Sequence, residues 1–310
     1  MTRGAALPRL QVLGAALFFS TGGALIKATA LTSWQVASFR GALAAAALGI
    51  LLPRARRRIT RRTAAVGLAY AGALIFYALA NKLTTAASTI FLQSTAPLYI
   101  LILGPWLLGE TPSRRDLGFM GALAAGLALV FLDLEPVASA TAPQPLAGNL
   151  LALAGGVSFA FAIVGLRWLG RDGADPADAM AAVIAGNLIA FGVCLPPALP
   201  VADAGPRDWA LVAFLGLFQV ALAYLLLTAG LRRVAALEAS LLLLIEPVLN
   251  PIWAWWLQGE VPGRLALAGG LVILTATAAR VATGGRAAPA RGAPPPADRS
   301  GDRGDARGPR

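Results

Sequence analysis

Residues 245–262 read IEPVLNPIWAWWLQGEVP, and residues 95–112 read TAPLYILILGPWLLGETP. A shift of 150 residues lays Pro97 on Pro247, Ile102 on Ile252, Trp106 on Trp256 and Arg114 on Arg264. In the same register Gly109, Glu110 and Pro112 fall on Gly259, Glu260 and Pro262. Coincidences of Ala and Leu carry little in so apolar a chain. Pro, Trp, Gly and Glu in one register mark an internal repeat, and a repeat fixes the architecture before any finer reading. The copies differ at one telling place: Ala96 in the first is Glu246 in the second.

Working outward, the chain is 57% hydrophobic and 13% charged, and its charges sit in short clusters. Between the clusters run apolar segments of about 18–24 residues, the length a helix needs to cross a bilayer. A soluble domain would spread its charges along amphipathic helices instead. Ten spans are predicted, at roughly 10–29, 34–52, 64–81, 86–108, 116–133, 147–169, 178–199, 209–231, 235–258 and 263–281. The first could be read as a secretory signal ending at Ala28-Thr29-Ala30. Its length and its place in the repeat favour a retained span, because Leu10, Phe19 and Lys27 match Leu150, Phe159 and Arg167 at a shift of 140. The predicted units are 10–133, a first five-helix repeat, and 147–281, a second, followed by a disordered cytoplasmic tail over 282–310.

The net charge of +11 does not call for nucleic acid, because the arginines lie between spans, where they orient a membrane protein. With the N-terminus inside, Arg54, Arg56, Arg57, Arg58, Arg61, Arg62, Arg114, Arg115, Arg167, Arg171, Arg232 and Arg233 all fall on the cytoplasmic side. Lys27, Lys82, Arg207 and Arg264 fall outside. Both termini are therefore expected in the cytoplasm, and the arginine-rich composition suits a bacterial plasma membrane. Five spans separate the copies, and an odd number turns the second upside down. The expected fold is an all-α membrane protein of ten transmembrane helices in two inverted five-helix repeats. That architecture belongs to secondary transporters, whose site lies near the midplane where the repeats meet.

A proline midway along spans four and nine, Glu246-Pro247 followed by Gly259-Glu260, and Arg40 within Ala37-Ser38-Phe39-Arg40 together resemble the EamA-type members of the drug/metabolite transporter superfamily. Gln258 stands where that family usually has Leu before Gly. The resemblance implies a ten-helix bundle that exports or exchanges a small metabolite, such as an amino acid or related compound, or a drug.

Four residues are the candidate substrate- or proton-binding groups: Glu246, Arg40, Gln93 and Thr95. A charge near the bilayer centre costs about 2.5–3.5 kcal/mol on insertion scales, so Glu246 is expected to face a cavity or a partner. Gln93, Ser94 and Thr95 form a polar triplet inside span four, and the plainer reading is that their hydroxyls bond back to their own backbone. Arg40 lies about six residues from the outer end of its span and could snorkel to the surface instead. Counting about 1.5 Å per residue in a core about 30 Å thick leaves about 6 Å of depth between Arg40 and Glu246, so the two are expected to meet in some state. Pro97, Pro247 and Pro251 are the candidate hinges, since each removes a helix hydrogen bond. Asn187, Gln219 and Asn250 are expected to hydrogen-bond between helices, and Gly118, Ala122 and Gly126 to pack one helix on another.

There is no histidine and one cysteine, Cys194, and no carboxylate pair is read within one span. No catalytic residue, metal or cofactor is therefore expected, and the chain is read as a transporter and not as an enzyme. A membrane-embedded enzyme or a non-transporting structural membrane protein is the alternative. The expected partners are a small-molecule substrate and the lipid bilayer, with proton coupling and a homodimer left open.

Overall fold

The computed structural model describes residues 3–109, 114–132, 142–171, 175–202, 204–259 and 264–282. The first half runs α1 (Arg3–Ser20), α2 (Gly22–Ala28), α3 (Ser33–Leu51), the short α4 (Pro53–Arg56), α5 (Arg61–Leu83), α6 (Ala86–Gln93), α7 (Ala96–Leu108) and α8 (Arg114–Leu132). The second half begins with α9 (Pro145–Leu169), α10 (Pro176–Ala198) and α11 (Pro206–Phe214), then a π-helical stretch, Leu215–Leu222. It continues with α12 (Ala223–Leu231), α13 (Ala236–Leu242), a 3₁₀ turn, Leu243–Ile245, α14 (Glu246–Gln258) and α15 (Arg264–Ala282). No strand occurs among the described residues.

Seven helical stretches among those residues are long and apolar enough to cross a membrane: Ala6–Ala28, Ser33–Leu51, Arg61–Leu83, Pro145–Leu169, Pro176–Ala198, Pro206–Leu231 and Ala236–Gln258. At the other three expected positions the chain is also helical, in the pair α6–α7 and in α8 and α15.

The helix ends follow from local chemistry. The Thr32 hydroxyl accepts from Gln35 N, while the Gln35 side chain accepts from Thr32 N, a reciprocal cap. Thr60 and Thr63 repeat it at α5, and Asp175 caps α10 through Ala177 N. Both α7 and α14 stop on a left-handed glycine, Gly109 at φ 67° and Gly259 at φ 70°, as the repeat requires. Glu110 and Glu260, and with them their expected pairing to Arg114 and Arg264, lie outside the described residues, as does the tail over 283–310.

The halves interlock with a two-fold pattern. α1 packs on α12, and one repeat later α9 packs on α5. α6 and α7 pack on α9, and their counterparts around α14 pack on α1. α3 meets α10 and α8 meets α15, so these pairs map onto themselves. Glycines set the closest approaches. A Cβ at Gly67 would stand 2.9 Å from the α10 backbone at Ala182 O, and one at Gly216 would stand 2.9 Å from the α3 backbone at Arg40 O. Of the expected glycine stripe, Gly126 does meet α15, at Gly269 O, but a Cβ at Gly118 would meet nothing within 4 Å among the described residues. Trp106 and Trp256 are 88% and 73% exposed, the placement expected of amphipathic rings at a bilayer surface.

Candidate functional site

Both apolar breaks in the repeat are real, and they build the site. Pro97 sits in the first turn of α7, so the carbonyl of Gln93 loses its helix partner and α6 ends there. Pro247 does the same at the start of α14, where α13 tightens into the 3₁₀ turn. Pro251 is carried inside α14 without a break. The second break makes Glu246 the first residue of a new helix, 8% exposed, and aims it between the halves.

There Glu246 lines a cavity of about 30 Å³ together with Arg40, Leu74, Tyr77, Gln93, Phe159, Gln219 and Tyr224. A second cavity, of about 20 Å³, adjoins it and shares Gln93, Phe159 and Glu246. A water needs about 10–15 Å³ by this measure, so the two together hold a few waters and no metabolite. The site is contracted in this conformation.

Arg40 is fully buried, which rules out snorkelling here. Its Nη2 donates to the Leu74 carbonyl at 2.6 Å, while Nε and Nη1 have no hydrogen-bond partner. No ion pair joins Arg40 to Glu246, so the expected meeting of the two charges does not occur in this state, although one cavity exposes both. Gly216 lets the π-helical stretch press on the α3 backbone at Arg40 O, and Gln219 follows on the same stretch with its Oε1 unpartnered. π-helical turns recur at functional sites because they re-aim one side chain.

The structure brings together Glu246, Arg40 and Gln93 but leaves Thr95 aside. The Thr95 hydroxyl donates to Leu92 O at 2.7 Å and lies against Gly156 of α9, and Ser94 donates to Ile90 O at 2.6 Å. Both hydroxyls bond back to their own helix, on carbonyls that also accept backbone N–H groups. Asn187 and Asn250 make the expected interhelical bonds, donating to the Tyr70 hydroxyl at 2.8 Å and the Tyr77 hydroxyl at 3.1 Å. Tyr70 and Tyr224 meet edge to face at 4.5 Å. The cavity tyrosines carried no distinguishing signal in the sequence, since an aromatic in an apolar span reads equally well as core or lipid-facing.

Glu238 was also missed, and with Glu246 it corrects the reading that no span holds two carboxylates. The two do different work. Glu238, at the start of α13, accepts from Arg9 Nε of α1 at 2.7 Å, with side chains only 6% and 14% exposed. This pair ties α1 of the first half to α13 of the second at the arginine-rich end. At the opposite end the repeat partner of Arg9 is Asn149, which accepts from the Thr84 hydroxyl at 2.9 Å. One end is latched by charge and the other by a neutral hydrogen bond.

Outside the spans, Arg58 ties the start of α10 to the α4 loop through Asp178 at 2.6 Å and Asp175 at 2.9 Å. The Asp178 carboxylate raises the Arg58 guanidinium further above its ordinary value. The Ala177 N–H, then Arg58, hold the Asp175 carboxyl below the usual carboxylate range. No group of three or more metal-binding side chains occurs among the described residues.

A family model described as the EamA-like transporter family matches residues 8–132 and again 146–280. A solved structure described as "Crystal structure of protein" is similar in fold, with a TM-score of 0.69 at 21% identity, covering 89% of this chain and 96% of that one. No match is found among curated proteins.

Proposed function

Because the chain belongs to the EamA-like transporter family, matched in both halves, we propose that it is a secondary transporter working by alternating access. Its cargo is a small metabolite, such as an amino acid or related compound, or a drug, moved as an exporter or exchanger. Ten membrane-crossing helices form two inverted five-helix repeats in the plasma membrane, with both termini in the cytoplasm. The clustering of Arg58, Arg167 and Arg232 at one end of the bundle supports that orientation.

One observation carries the reading. A fully buried arginine with two unpartnered N–H donors and a buried carboxylate face one contracted cavity at the junction of the halves. Unpaired buried charge is costly, and it persists where a cavity or a cargo completes it in another state. Pro97 and Pro247 supply the two hinges, with Pro251 a third on α14. Glu246 has only Ala96 as its counterpart, so one ionisable group serves both faces in turn. We assign it alternate occupancy by a proton and by a cationic or zwitterionic cargo, while Arg40 and Gln93 hold the anionic or polar part. Coupling then requires that occupancy of Glu246 bias the two conformations differently.

The test is flux in proteoliposomes with a panel of labelled metabolites and an imposed pH gradient. Glu246→Gln keeps shape and hydrogen bonding without titration. It is expected to fold and insert but to lose proton-driven accumulation, while exchange of cargo for cargo survives. Undiminished pH-driven accumulation in a well-expressed Glu246→Gln protein returns the residue to a packing role.

A further inference from the structure

A roomier cavity lies away from the midplane. It encloses about 500 Å³ at the arginine-rich end, between α3–α4, the start of α10, and α12. That volume lies within the range of about 300–1,000 Å³ that encloses a ligand. Leu51, Met180 and Leu225 give it an apolar wall, and Arg54 and Arg232 stand at its rim. Leu51 is 67% exposed, so this wall runs out to the face that meets lipid. Both arginines are exposed, and among the described residues neither guanidinium has an ion-pair or hydrogen-bond partner. The carboxylate that lines the cavity, Asp175, is hydrogen-bonded by Arg58 and by the Ala177 N–H, and Arg54 acts on it through space without an ion-pair contact.

We propose that this cavity is a binding site for one anionic phospholipid of the adjacent leaflet, with its phosphate between Arg54 and Arg232 and part of an acyl chain along Leu51, Met180 and Leu225. Charge complementarity selects the occupant. Two unpaired cations next to one neutralised carboxylate favour an anion, and an apolar wall open to the bilayer favours one that carries a tail. Basic pockets between helices on the cytoplasmic side bind anionic head groups in this way. The midplane cavity offers neither feature, because its charges are buried and its volume is about 30 Å³. The proposal rests on membrane insertion alone and is independent of the cargo and of its coupling.

The full chain in detergent is mixed with phosphatidylglycerol or phosphatidylcholine of matched chain length, and retained lipid is read by native mass spectrometry. One phosphatidylglycerol per chain is expected to persist where phosphatidylcholine is lost. Arg54→Gln and Arg232→Gln should each lower its occupancy about five-fold, as expected for one basic residue at a bilayer surface. Arg61→Gln and Arg62→Gln, exposed and off the cavity, should not. Ala229→Trp, which fills the cavity, should remove the bound lipid while the fold is retained by thermal unfolding. Glycerol phosphate, a head group without a tail, should not displace the lipid. Equal retention of phosphatidylcholine, an equal loss in the Arg61 and Arg62 variants, full retention in Ala229→Trp, or displacement by glycerol phosphate would each overturn the site.

Discussion

On the proposed reading, Arg40 is a residue kept for function at the expense of stability. Its guanidinium is fully buried, yet only Nη2 is satisfied, by a carbonyl that lies inside α5. Even a buried ion pair is commonly replaced by apolar side chains at no cost or with a gain of about 1–4 kcal/mol, and a buried charge without an ionic partner has less to lose. Arg40→Met is therefore expected to leave thermal unfolding in detergent unchanged or raised while abolishing flux. A destabilised Arg40→Met protein would make the residue a structural strut. Asn187 differs in carrying no charge: its amide donates to the Tyr70 hydroxyl and to Val183 O, although its Oδ1 is also unpartnered.

At the scale of elements, the asymmetry between the two ends is the feature that differs most from the repeat. Arg9 and Glu238 hold α1 to α13 through a largely buried ion pair, where the other end has Asn149 on Thr84. Removing one partner of a buried pair costs about 3–5 kcal/mol, because the remaining charge is stranded. A neutral hydrogen bond is worth about 1 kcal/mol. Glu238→Gln is expected to lengthen and broaden the distance between spin labels at positions 7 and 233, and Asn149→Ala to leave it unchanged. The apolar pair Arg9→Met with Glu238→Leu should restore the short distance. No change in Glu238→Gln would mean the pair does not gate this end. The helix breaks at Pro97 and Pro247 and the stops at Gly109 and Gly259 were legible in the sequence, because proline and glycine act on their own backbone. The latch was not, because its partners lie 229 residues apart and each alone reads as a surface charge. The π-helical stretch that carries Gln219 was hidden for a related reason: it depends on Gly216 meeting another helix. The Thr95 hydroxyl, two residues before Pro97, bonds back to Leu92 O in this conformation, a local acceptor that the sequence alone does not rank against a cargo.

For the whole molecule, the question is how two copies of one sequence pattern make a single path. The main cross-packings of one half on the other have counterparts after the shift: α1 on α12 with α9 on α5, and α3 on α10 with itself. Such an exchange needs a two-fold relation between the halves. Its axis lies in the membrane plane only if the copies are upside down to one another, as five intervening spans would make them. An axis along the membrane normal would instead place Gly109 and Gly259 at the same surface, and the cavity at Glu246 could not be opened to opposite sides by equivalent hinges. The distinction is measurable at the ends of these helices, where a Cβ added at Gly109 or Gly259 meets nothing within 4 Å among the described residues. Their positive φ disfavours replacing the glycines themselves, so reporters belong on the exposed neighbours Leu107 and Leu257. Cys194, the single native thiol, is buried and is removed by Cys194→Ala. In that background Leu107→Cys is expected to react with an impermeant maleimide only from the cytoplasmic side of oriented vesicles, and Leu257→Cys only from the other. Labelling of both from one side would remove the inverted relation, and with it the account in which Pro97 and Pro247 open one carboxylate to each face in turn.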